Sequence, residues 1–235
     1  MRALVALNAQ LLYWVLVAPF RGQMFHAREV LRQLVIVASH ALPMVALTSF
    51  SVGFTLAMQS ASELRKLGGE MFVPDLVSVS LLRELGPVLI AVIVIGRSGS
   101  AFTAELGTMK VSEEIEALEV MAINPVRFLV VPRVLALLMA LPMLTALGNC
   151  MGIVGGWTVC RFMLGMNTDA FILHAVRAAD AWDLYSGLIK SVTFAWIVGT
   201  VACKAGLGVE LSLIHISERT RLRRISYAVF CLKKK

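Results

Sequence analysis

Long apolar runs separated by short polar stretches organise this chain. Four of them, Leu34 to Met58, Leu85 to about Leu106, Val134 to Cys160 and Leu184 to about Gly206, approach or exceed the roughly 20 residues that cross a bilayer as helix. Pro43 and Pro142 fall inside the first and third and predict kinks or local unwinding. Ahead of them, Leu4 to Phe20 is apolar but interrupted by Asn8 and Gln10 and ended by Pro19. With Arg21, Arg28 and Arg32 following, it predicts a helix lying in the membrane interface. Arg2 and those three arginines place the N-terminus on the cytoplasmic side. Alternation then puts two polar connections outside. Gln59 to Ser80 has turn signals at Gly68-Gly69 and Pro74. Arg161 to Asp183 predicts a short amphipathic helix around Ala170 to Ala178. The fold class is all-α: a polytopic helical membrane protein.

Between the second and third spans, Val111 to Ile123 is too short and too acidic to cross. Glu113, Glu114, Glu116 and Glu119 supply the charge, while Ile115, Leu118 and Ala122 share a face. This predicts an amphipathic helix capped by Ser112 and stopped by Asn124-Pro125. Small residues recur every fourth position in the spans, as at Gly96, Ser100 and Ala104, and at Gly99, Thr103 and Gly107. Gly148, Gly152 and Gly156 form a GxxxGxxxG face. Such rows let helices approach closely.

Composition agrees with a membrane chain: 58% of the 235 residues are hydrophobic and 16% charged. The net charge of +7 changes the picture less than its size suggests. Seven basic residues against one acid after Glu210 supply +6 of it, leaving +1 for the rest. No nucleic-acid partner is implied. Cys150, Cys160, Cys203 and Cys231 have no paired spacing, and His26, His40, His174 and His215 no metal-ligand spacing. No metal, cofactor or catalytic residue is predicted, and no GxxxxGK[ST] nucleotide loop occurs.

The segments LLRELGPVLIAVIVIGRSGSAFTAELGTMK and EEIEALEVMAINPVRFLVVPR resemble the MlaE/YrbE family of ABC-transporter permeases. The likeness extends from roughly Val30 to Glu210 and includes the IKSV of the fourth span. LRELGP, GRxGSAxxAELGxM and an acidic helix ending in NP occur together and in order, which makes it specific. The resemblance implies an interfacial helix and five spans, acting as a permease homodimer in the bacterial inner membrane. It also implies an ABC ATPase, an Mce-domain lipid-binding protein and phospholipid as partners. Residues 112–123 match the family's coupling helix. Glu113, Glu114, Glu116, Leu118, Glu119, Asn124 and Pro125 are then the expected ATPase contacts. The outer ends of the first two spans are expected to line a lipid cavity carrying Arg83 and Glu84, with Lys190 and Gln59 beside them.

Residue chemistry supports that assignment independently. A phospholipid site combines apolar walls with a few cations, and Glu84 can hold Arg83 or Lys190 in place. Residues 1–210 are thus expected to form the permease domain, and 211–235 read as a non-native tail standing where a fifth span belongs. An alternative is an ion-coupled secondary transporter using Arg97 and Glu105, ionisable groups at membrane depth. An intramembrane enzyme pairing Glu105 with His40 or His174, and a scaffold that only anchors partners, complete the alternatives.

Overall fold

The computed structural model describes residues 2–17 and 27–208, and it contains no strand among them. Helix α1 (Arg2–Leu12) runs into a π-turn, Tyr13–Val17. Helix α2 (Ala27–Lys66) is the first span. A 3-10 turn, Glu70–Phe72, then leads into the second span. That span is built from α3 (Val73–Ser80), a π-turn (Leu81–Leu85), α4 (Gly86–Val94), a second π-turn (Ile95–Gly99) and α5 (Ser100–Val111). The short helix α6 (Glu114–Val120) follows. A π-turn (Val126–Val130) then opens α7 (Val131–Phe162), the third span. Helix α8 (Thr168–Ala178) precedes the fourth span, α9 (Ala181–Leu207). Four helical stretches are long and apolar enough to cross a membrane. The predicted end of the first apolar stretch at Pro19 and all of 211–235 lie outside the described residues.

The structure corrects the polar connection expected over 59–80. Residues 59–66 are the last turns of α2, and only 67–69 form a turn before helix resumes. Gln59, Glu63 and Lys66 are exposed, with Lys66 Nζ 2.9 Å from Glu63 Oε1, as suits a helix that outruns the membrane. At about 1.5 Å per residue, α2 is roughly 60 Å long, about twice the hydrocarbon thickness. Pro74 lies in the first turn of α3, where a missing N–H is harmless, so it starts a helix instead of marking a loop. Val73, Val77 and Leu81 then form a buried stripe at a spacing of four. Nor does Pro43 unwind α2, which remains α-helical through it.

Packing divides into three zones along the bundle. Near α8, Ala57, Val73, Val77, Val159 and Phe171 are buried together. The middle holds Val45, Ile90, Val94, Leu141 and Ala195. At the α6 end, Leu11 of α1 is buried against Leu106, Val130, Val134 and Cys203. The seam between α2 and α7 is the closest contact. A Cβ on Gly53 would overlap the Gly152 carbonyl, and one on Gly155 would overlap that of Phe50. Backbone therefore touches backbone, which is how helices gain dispersion contact where lipid removes the hydrophobic drive. Gly148, Gly152 and Gly156 share this region, facing α2 and the second span. Gly99 lies at ordinary contact distance from Val198, whereas Gly96 is open, with nothing within 4 Å of where a Cβ would stand.

Candidate functional site

Two polar constellations interrupt this apolar bundle, one at each end of the second span. The first grows from the π-turn Leu81–Leu85, which widens the helix and sets Arg83 and Glu84 on its exposed side while Leu81 and Leu82 stay buried. Gly187 lets α9 reach this turn, because a Cβ there would overlap the Leu82 carbonyl. One turn further along α9, Lys190 Nζ lies 2.6 Å from Glu84 Oε1 and donates to the Arg83 carbonyl at 3.1 Å. Arg83 is held more loosely: Nη1 is 3.9 Å from Asp183 Oδ1 and Nε 4.0 Å from Glu84 Oε1. Its side chain is 55% exposed, while that of Asp183 is 11% exposed.

The network therefore joins two cations to two carboxylates, and the expected trio of Arg83, Glu84 and Lys190 meets. Gln59 does not join it. It is exposed on α2, where its carbonyl accepts from Ser62 Oγ at 2.8 Å. Asp183 was not anticipated from the sequence. The signal was present, since Asp183, Gly187 and Lys190 recur at helical spacing and so share one face of α9. Close by, Asp75 Oδ1 and His174 Nδ1 lie 3.2 Å apart and link α3 to α8.

The second constellation surrounds α6. This helix is shorter than the sequence suggested, and Ser112 does not cap it. Ser112 instead ends α5, its Oγ donating to the Thr108 carbonyl at 3.0 Å, and Glu113 precedes α6 in a left-handed conformation, φ 62°. Ala122 lies beyond the helix, also left-handed at φ 58°. Around it the Ala122 N–H donates to the Glu119 carbonyl and the Ile123 N–H to the Leu118 carbonyl, both at 2.9 Å. This is the helix stop that usually employs glycine. Asn124 Oδ1 then accepts from Val126 N at 3.0 Å and Arg127 N at 3.4 Å, starting the next helix just after Pro125. Ile115 is the buried anchor and Leu118 is half-buried, leaving Glu113, Glu114, Glu116 and Glu119 exposed. Lys110 Nζ binds Glu116 Oε1 at 3.0 Å. Val120 and Met121 are exposed beside them.

Arg133 completes this end, and it too escaped the sequence reading. An arginine inside an apolar run is itself a signal at membrane depth. Its Nη2 lies 3.1 Å from Glu105 Oε2 and its Nη1 donates to the Leu129 carbonyl at 3.0 Å. The alternatives are thereby rearranged. Glu105 pairs with Arg133, Arg97 is exposed on its own π-turn, and His174 pairs with Asp75 near the opposite end. His40 is exposed on α2. Neither a joint Arg97–Glu105 relay nor a Glu105–histidine pair is assembled. No group of three or more histidine, cysteine or acidic residues poised for a metal occurs among the described residues.

Comparison with known proteins bears on both ends. The family model for the MlaE permease matches residues 30–222. A probable ABC transporter permease protein of Rickettsia typhi is 37% identical over 177 residues, covering 75% of this chain and 68% of that protein. One from a Synechocystis strain is 36% identical over 193 residues, covering 82% and 73%. The chloroplastic protein trigalactosyldiacylglycerol 1 of Arabidopsis thaliana is 35% identical over 195 residues, covering 83% and 56%. With four spanning helices and a family match over most of its length, the chain belongs to the MlaE permease family and is a multi-pass membrane permease.

Proposed function

We propose that this permease is the membrane subunit of an ABC transporter that moves phospholipids or related lipids between membranes. Its work is driven by a separate ATPase that docks on α6. It acts in the inner membrane of a double-membraned bacterium, with a second permease copy and an Mce-domain lipid carrier. The relatives' description as ABC transporter permeases supports the ATPase, and the plant relative, named for a galactosyl diacylglycerol, supports a lipid.

The carrying observation is the half-exposed Arg83 guanidinium on a π-turn, set with Glu84 and Lys190 among apolar residues of which Val88, Tyr185 and Ile189 are also exposed. A headgroup phosphate can accept two parallel N–H bonds from that planar group, while acyl chains lie on the apolar neighbours. Lys190, clamped to Glu84, positions the turn. Arg83, at 3.9–4.0 Å from both carboxylates, is the group free to exchange partners. At the other end, three exposed carboxylates on α6 and that of Glu113 just before it suit a basic ATPase surface.

The test is mass spectrometry of the protein purified in mild detergent. Phospholipid should co-purify, and Arg83→Ala should lower its occupancy about tenfold, in line with loss of a charge-assisted hydrogen bond. Retention of full lipid occupancy by Arg83→Ala would remove the headgroup assignment. A cysteine at Glu116 should crosslink to the co-purified ATPase, and no adduct in any nucleotide state would remove the docking assignment.

A further inference from the structure

We propose that the Glu105–Arg133 ion pair is a brace. It makes α6 and the two spans flanking it move as one body, so that motion imposed at α6 reaches the charge network around Arg83. The inference rests on reading α6 as the ATPase contact and assigns a positioning role to two residues outside both sites.

Three polar fastenings close a triangle. Lys110–Glu116, at 3.0 Å, ties α5 to α6. Asn124, capping the π-turn Val126–Val130, ties the exit from α6 to α7. Glu105–Arg133, at 3.1 Å, ties α7 back to α5. The third side matters because α5 packs chiefly on α9 and α7 chiefly on α2, so the two have little direct helix-to-helix contact. Without it, the two spans are linked at this end by apolar contact around Leu106, Val130 and Val134, through α9, and through α6 with its buried anchor Ile115. No direct polar tie between them then remains among the described residues.

Arg133 is unusual in its setting. Its side chain is 6% exposed, its guanidinium lies 5.9 Å from the centre of the Phe102 ring, and its Nε has no partner. Glu105 is the one carboxylate bonded to it among the described residues. A buried cation with a single counter-charge holds that partner firmly, since letting go leaves the charge unpaired in a low dielectric. The planar fork also reaches Leu129 and Glu105 together, which a lysine ammonium does not reproduce. The brace is therefore stiff as well as close. From Glu105 the second span continues through α4 to the π-turn carrying Arg83 and Glu84.

The experiment uses the whole transporter, permease with its ATPase, in nanodiscs. Leu76→Cys serves as reporter, being exposed on α3 just ahead of that π-turn. Its modification by a hydrophilic maleimide is followed on the peptide itself, with and without ATP and vanadate. In the otherwise wild-type complex the nucleotide should change the rate at least threefold. Adding Glu105→Gln should leave the ATPase bound and its hydrolysis within twofold, yet abolish the nucleotide-dependent change. Arg133→Lys should do the same, and serves if Glu105→Gln fails to assemble. The exchange of Glu105→Arg with Arg133→Glu should restore at least half of the response, which a merely structural lesion would not allow. A full response in Glu105→Gln or Arg133→Lys overturns the brace and leaves the ATPase contact standing. No response in the parent complex overturns that contact and the brace with it.

Discussion

Along α2 and α7, glycines let two unbroken helices touch backbone to backbone, whereas the second span beside them is divided by two π-turns and carries Arg83, Glu84, Arg97 and Glu105. The seam is apolar and locked by shape. The second span is held at its ends by directional ion pairs: the exposed one to α9 can exchange partners, whereas the one to α7 sits on a buried arginine. Shape-locked contacts resist sliding because a packed interior has no spare volume, while a charge pair can be remade elsewhere if another partner arrives. The difference teaches where to look for motion: α2 and α7 form the frame, the second span is braced to α7 at Glu105, and its Arg83 end, held to α9 by exposed charges, is the part that can be driven.

Four substitutions sharpen this contrast. Gly53→Ala places a methyl group on the Gly152 carbonyl with no flexible side chain to give way, and should cost about 3 kcal/mol. Gly96→Ala, in open space, should be neutral or gain up to about 1 kcal/mol in helix propensity. Reversible unfolding in mixed micelles measures both, and equal effects would abolish the distinction between seam and open face. Gly187→Ala also meets a carbonyl, that of Leu82, but in a π-turn, whose wider hydrogen-bonded ring is expected to give more than an α-helix. It should cost about 1 kcal/mol, less than Gly53→Ala, and loosen Lys190 from Glu84. A cost equal to that at Gly53 would make the second span as rigid as the frame. A similarly small effect belongs to Ala122, whose left-handed backbone suits glycine. Ala122→Gly should gain about 0.5–1 kcal/mol by the same assay. A loss there would mean that the α6 stop is not strained.

The sequence carried the apolar runs well, since each span needs enough consecutive apolar residues to announce itself, and α8 fell where its amphipathic pattern placed it. It misrepresented residues 59–80. Gln59, Glu63 and Lys66 are polar because their helix runs beyond the membrane, not because the chain loops. The π-turns were also hidden, because one additional residue in a turn leaves no mark in an apolar run whose every face is greasy. The trio of Arg83, Glu84 and Lys190 was found through motif likeness. Asp183 and Arg133 were not, since their partners are distant in the chain and only the folded bundle brings them near. Gln59 makes no bond to that trio and is exposed on α2.

Each π-turn accommodates one residue more than an α-turn would, and in an α-helix one residue is worth 100° of rotation. The turns at 81–85 and 95–99 therefore act as phase shifters, each resetting the angular position of everything on one side relative to the other. Loss of a single residue from either would give a smoother and more regular helix. It would also turn Arg83 and Glu84 away from Lys190, or turn Glu105 away from Arg133. In this span the irregular turns are what keep the two charged ends in register, so a shortening that improves the helix would disable the protein.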